Sequence, residues 1–268
     1  DRRIQLAGYN CGGRATAACY LDFLRRGVGT FSPAQQERLT RLLGELSYLA
    51  AQRADSLTIP WPDSVLLLRG FDAQYGPYTY YTRGRAVVIL PTDLAGADDE
   101  SLRRILLHEI FHLISRRRAA ARPAAYALVG FEPLDTNGIT LPAAPARRRL
   151  LNPDALDLYV FRYDDSTRWL PLDYAATPAP RPGFAAAFTS NYFLLDSNGR
   201  SGSVVLNPAA DSTFQVRTGG NTDYIIHPEE ILAENFVSLL LDDPATLSPD
   251  ARALHGRMRG WLAGLAEE

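Results

Sequence analysis

His108-Glu109-Ile110-Phe111-His112 stands inside an apolar stretch, Leu102 to Ile114, with Asp98, Asp99 and Glu100 before it and Arg116, Arg117 and Arg118 after it. Acidic residues at the start and basic ones at the end suit a helix dipole, and the recurring Leu and Ile predict a helix over about 101–118. At about 100° per residue, positions four apart lie one turn up on one face, so both imidazoles can reach a single cation. Glu109 is swung away from that pair yet stays near a water on the cation, where a general base belongs. The chain of 268 residues has only four histidines. Residue frequencies then give on the order of 0.002 accidental matches to H-E-x-x-H, so chance is a poor explanation. The bland reading is a satisfied core histidine pair with an exposed glutamate between them.

A metal site of this kind needs a third protein ligand. The six residues after His112 are Leu113, Ile114, Ser115, Arg116, Arg117 and Arg118, which excludes the metzincin continuation x-x-G-x-x-H. Cys11 and Cys19 lie far away at the N-terminus, so a glutamate is left. Glu132 comes 20 residues after His112, but it follows Gly130 and precedes Pro133, where a helix can hardly run. Glu230 comes 118 residues after His112 in His227-Pro228-Glu229-Glu230-Ile231-Leu232-Ala233-Glu234-Asn235-Phe236, just inside a well-signalled helix. Glu230 and Glu234 share a face, so the first can ligate while the second accepts a hydrogen bond from a ligand imidazole. The bland reading of Glu229, Glu230 and Glu234 is an exposed acidic helix start.

H-E-x-x-H on one helix and E-x-x-A-[DE] on a later one resembles the gluzincin group of zinc metallopeptidases. These stretches and Asn152-Pro153-Asp154-Ala155 are also similar to secreted bacterial proteins. The gluzincin resemblance implies Zn²⁺ held by His108, His112 and Glu230, with Glu109 as base and Glu234 orienting His108. It implies peptide-bond hydrolysis by a metal-activated water. The 118-residue gap departs from the short spacer of thermolysin-like enzymes. Oxyanion donors are sought in Tyr224, His227 and Tyr192; each also has an ordinary role, the tyrosines as strand packing and His227 as a helix cap. The G-x-M-E-N exopeptidase signature is missing, since the only Met is Met258, which leans toward an endopeptidase. The alternatives are a non-catalytic metal-binding domain and a hydrolase of a non-peptide amide or ester.

Composition narrows the partners. All 28 basic residues are Arg, 30 acidic residues outnumber them, and the net charge is -2, so nothing favours nucleic acid or anionic lipid. No run approaches the ~18 apolar residues of a membrane span. A polypeptide substrate remains the expected partner. Two cysteines, Cys11 and Cys19, fit a small disulfide loop in a secreted or periplasmic chain, or two buried thiols.

The rest of the chain predicts an α+β fold: a zincin-like catalytic domain with a small mixed sheet on a buried H-E-x-x-H helix and a second helical/β lobe across a cleft. One domain over 1–268 divides into lobes 1–130 and 131–268. Ser32-Pro33 with Gln35 opens a helix over about 33–54, and further helices are expected near 123–129, 228–242 and 249–265. Strands are expected at Val65–Leu68, Tyr78–Tyr81, Ala86–Leu90, Leu158–Phe161, Arg168–Leu170, Tyr192–Leu195, Val204–Leu206 and Tyr224–Ile226. Ala86–Leu90 is expected to be the edge strand that aligns an extended peptide, with 157–226 as the other cleft wall. His255, among Arg252, Arg257 and Arg259, is expected to be solvated.

Overall fold

The computed structural model describes residues 16–52, 57–76, 79–134, 139, 141, 143–150, 152–175, 188–196, 200–205 and 207–267. Helix α1 (Ala17–Gly27) leads to α2 (Pro33–Gln52), which opens with the expected box: the Ser32 N–H donates to Gln35 Oε1 at 2.9 Å and the Gln35 N–H to Ser32 Oγ at 3.3 Å. Three short strands follow, β1 (Leu66–Arg69), β2 (Tyr81–Arg83) and β3 (Ala86–Ile89), then α3 (Pro91–Gly96) and the long α4 (Asp99–Arg117). Asp98 caps α4 by accepting the Ser101 N–H at 2.8 Å. Beyond it come α5 (Arg122–Leu128), β4 (Phe131–Pro133), α6 (Ala143–Arg147), β5 (Tyr159–Arg162), β6 (Arg168–Ala175), β7 (Phe188–Leu195) and β8 (Ser201–Val205). Helices α7 (Ser212–Thr218), α8 (Pro228–Leu241) and α9 (Pro249–Glu267) complete the chain.

The first sheet is mixed, in the order β1-β3-β2: β1 runs parallel to β3 with Leu66 opposite Ala86, and β2 is antiparallel with Tyr81 opposite Val88. The β2–β3 turn uses Gly84 at φ 59°. β3 is therefore the central strand, not the edge expected from the sequence. Its four residues are all buried, as suits a strand with neighbours on both sides. The outer edge of β2 is covered in part by a side chain, since the Thr82 N–H donates to Asp154 Oδ1 at 2.8 Å.

The second sheet is antiparallel, β4-β5-β6-β7-β8. Alternation sends Phe131, Phe161, Trp169 and Tyr192 into the main core, while Val160, Leu170, Leu172, Phe193 and Leu195 form a smaller cluster on the opposite face. Tyr224–Ile226 is not a strand. There the Tyr224 N–H turns back to Thr222 Oγ1 and the Ile225 N–H to the Asp223 carbonyl, both at 3.0 Å, local bonds that compete with a ladder.

α4 lies at the centre, against α2, β2, β3 and α8. Every residue from Leu106 to Ser115 is buried, and α8 is buried just as heavily. One core joins Leu39, Leu42 and Leu46 of α2 to Phe111, to Phe236 of α8 and to Leu254 and Met258 of α9, and so draws on both halves of the sequence. No described helix is long and apolar enough to cross a membrane. Cys19 is disulfide-bonded; Cys11, its expected partner, lies outside the described residues.

Candidate metal centre

Helical spacing puts the rings of His108 and His112 4.7 Å apart between centroids, 83° from coplanar. Beside them Phe111 packs on Phe236 of α8 and on Trp261 of α9, and the histidines face the N-terminal turns of α8. Glu234 Oε1 lies 2.8 Å from His108 Nδ1, and Glu229 Oε1 lies 3.0 Å from His112 Nδ1. A carboxylate at each Nδ1 holds a proton there, so Nε2 is the nitrogen that carries the lone pair whenever the ring is neutral. Both Nε2 atoms point at Glu230 Oε2, at 2.9 Å from His108 and 3.4 Å from His112.

Three electron-rich atoms facing one another inside protein require positive charge between them. His108, His112 and Glu230 each offer one atom, all within 4.8 Å of one another, and could hold a metal ion. The donor chemistry fits, because each imidazole has its second nitrogen anchored and the third ligand is anchored too: Asn152 Nδ2 donates to Glu230 Oε1 at 2.6 Å. The titration behaviour expresses the same demand. Burial opposes charge on His108, but Glu230 and Glu234 outweigh it and raise the ring to about 9. His112 is likewise driven up against burial, by Glu230, Asp154 and Glu229. Glu230, despite burial, is held well below the usual carboxylate range by the two histidines.

Glu109 is 3% exposed, and its Oε2 is buried without a hydrogen-bond partner. Burial raises its carboxyl to about 8, against the pull of His112 and His108. It lines a cavity of about 400 Å³ with both histidines, Asn152, Asp173 and Tyr224. Among the described residues the second sheet contributes only Asp173 to this wall, and the segments around 150–154 and 224–226 supply the rest. Tyr224 is placed over His108, 5.9 Å between ring centroids. Although the residue as a whole is 44% exposed, desolvation of its hydroxyl in the cavity and then the charges of Glu230, Glu109, Asp154 and Asp173 raise it above the usual tyrosine range, protonated and able to donate.

Other candidates lie elsewhere. His227 caps α8: its Nδ1 accepts the Glu229 N–H at 3.1 Å and its Nε2–H donates to the Asp157 carbonyl at 3.3 Å. Its ring packs on Tyr126 and Tyr159, away from the cavity lining. The Tyr192 hydroxyl is committed to the Ile225 carbonyl. Glu132 sits on β4, bound to Arg168 at 2.6 Å. His255 is buried at 5% exposure rather than solvated, although Arg252 and Arg257 beside it are exposed.

Sequence reasoning missed Glu229. It reads as an exposed helix start, yet it is fully buried and accepts from Ser115 Oγ at 2.8 Å and Tyr126 OH at 2.6 Å besides facing His112. The available signal was the density of apolar residues in the helix after it, Ile231, Leu232, Ala233, Phe236, Val237 and Leu239 to Leu241, which leaves α8 little solvent face. Asp154, 5% exposed, was also unassigned; it joins Thr82 to Arg116, whose guanidinium lies at 3.2 Å.

Comparison with protein-family models, with curated proteins and with solved structures gives no match to this chain.

Proposed function

We propose that the protein is a zinc-dependent endopeptidase with a zincin-like, gluzincin-type catalytic domain, working in an oxidising compartment outside the cytoplasm. The observation that carries the reading is the convergence of two Nδ1-anchored histidines on Glu230, with the unpaired Glu109 carboxylate beside them in a cavity. Two nitrogens and one carboxylate oxygen are the donor set zinc takes when a position is left open for chemistry. A closed structural site would have no use for a base buried without a partner, at a cost of about 1–3 kcal/mol. The Cys19 disulfide supports the compartment.

Zinc, when bound, supplies a Lewis-acid charge that brings the pKa of a water toward ~7 and polarises a carbonyl. Glu109, in its ionised form, takes the proton of the attacking water on its free oxygen and delivers it to the departing amine. Glu234 and Glu229 hold the two imidazoles in the tautomer that keeps Nε2 directed inward, and Asn152 does the same for Glu230. Tyr224 offers a hydroxyl to the charge that develops on the carbonyl oxygen.

Zinc content, together with cleavage of casein and of a quenched fluorogenic peptide library by wild type and Glu109→Gln, tests the reading. The expected result is one bound zinc in both proteins and a loss of at least ~10²-fold in kcat in the variant. Stoichiometric zinc with no peptide cleaved by the wild type would overturn it: hydrolysis of esters or non-peptide amides would then identify another hydrolase, and none at all a binding domain.

A further inference from the structure

Five described carboxylates line the cavity: Glu109, Asp154, Asp173, Glu230 and Glu234. Buried acceptors are satisfied in folded proteins almost without exception, so each can be accounted for. Glu230 is engaged by His108, His112 and Asn152, Glu234 by His108, and Asp154 by Thr82 and Arg116. Only Glu109 and Asp173 keep a buried oxygen without a partner. Glu109 has a task in the reaction and Asp173 has none.

Asp173 lies on β6 in phase with Trp169, whose ring enters the main core, so its side chain occupies an inward position of the strand. Its own carbonyl accepts the Leu150 N–H at 2.8 Å, which locks the strand to the loop that carries Asn152. Opposite it on β7 stands Ser190, whose hydroxyl partly stabilises the carboxylate; burial outweighs this and pushes the group up to about 7. The one arginine among the described residues of the cavity wall, Arg104, is turned to Asp242 at 2.8 Å. Among the described residues no basic side chain pairs with Asp173.

We propose that Asp173 is a specificity-determining residue that receives the cationic group of a substrate, a guanidinium or a protonated amine, as it enters the cavity. The inference rests on the peptidase reading for its substrate but not for its binding chemistry. A charge-assisted bond from such a group satisfies the orphan oxygen, and a neutral isostere offers at most a weaker, uncharged hydrogen bond. The discrimination is then about tenfold or more.

Calorimetric binding to the zinc-loaded protein tests this with four probes: N-acetyl-argininamide against N-acetyl-citrulline amide for a side-chain cation, and leucinamide against N-acetyl-leucinamide for a free α-amine. One cationic member is expected to bind about tenfold tighter than its neutral partner, and the pair that does so identifies the source of the charge. In Asp173→Asn that preference should vanish while affinity for the neutral probe is kept. The wild-type comparison stands alone should the variant not fold. Equal binding of both pairs by wild type, or a preference that survives in a folded Asp173→Asn, overturns the inference. Asp173-dependent binding without peptide cleavage would retain it and remove the peptidase reading. Cleavage of charged and neutral peptides at equal kcat/KM by wild type and variant would do the reverse.

Discussion

Glu229 and Asp173 are both buried carboxylates, and their surroundings give them opposite energetic signs. Glu229 has three donors and Arg122 at 3.7 Å; its pKa is lowered despite burial, first by His112. Glu229→Ala should therefore strip partners from His112, Ser115 and Tyr126 together. We expect a loss of about 3–5 kcal/mol in urea unfolding and a 10–100-fold loss of metal affinity in competition with a chelator; a variant as stable and as tight as wild type would deny Glu229 this role. For Asp173 the folded pKa is raised to about 7, above the ~3.9 of an unfolded aspartate. Between those values the folded state holds a proton that the unfolded chain has released, so stability falls as pH rises through the window. Asp173→Asn removes the dependence. Its advantage over wild type should be small at pH 4 and grow to about 3–4 kcal/mol by pH 8 in thermal melts; a constant difference across pH would refute the assignment.

At the scale of elements, α8 shows what a cap does at a site. His227 accepts the Glu229 N–H and so secures the first turn, in which both Glu229 and Glu230 reside. His227→Ala should cost about 1 kcal/mol of stability while leaving the pH profile of kcat in place; a lost or shifted limb would instead make His227 a participant in proton transfer. The helices that carry the metal candidates were legible because their signals are local. Asp98 and the arginines frame α4, and Pro228 opens α8. The strand expected at Tyr224–Ile226 failed because Thr222 and Asp223 offer the backbone nearer partners. The short α7 escaped notice although Asp211 caps it at 3.0 Å and Gly219 closes it at φ 87°. Strand order in the first sheet, and so the central place of β3, depends on pairing across more than fifteen residues that no local pattern encodes. Burial of Glu229 and the orphan state of Asp173 also arise only from assembly, since each depends on residues of other elements.

For the whole molecule, the metal candidates join sequence-distant helices: His108 and His112 on α4, Glu230 on α8, each buried beside a core shared by both ends of the chain. An ion bound there stabilises only the folded state, and at a hundredfold excess over Kd this amounts to about 2.7 kcal/mol. Removal with a chelator should lower Tm by about 5–10 °C, and zinc should restore it; an unchanged Tm would mean that these residues hold no ion. In concentrated solution the bond from Thr82 to Asp154 takes on a different meaning. An open sheet edge is a template on which a second chain can add a strand. Along β2 the outward Thr82 N–H is already answered by a buried side chain of the same molecule, and a neighbouring copy meets there an occupied donor. The residue that ties the cavity wall to the sheet thereby also acts as a guard against self-association.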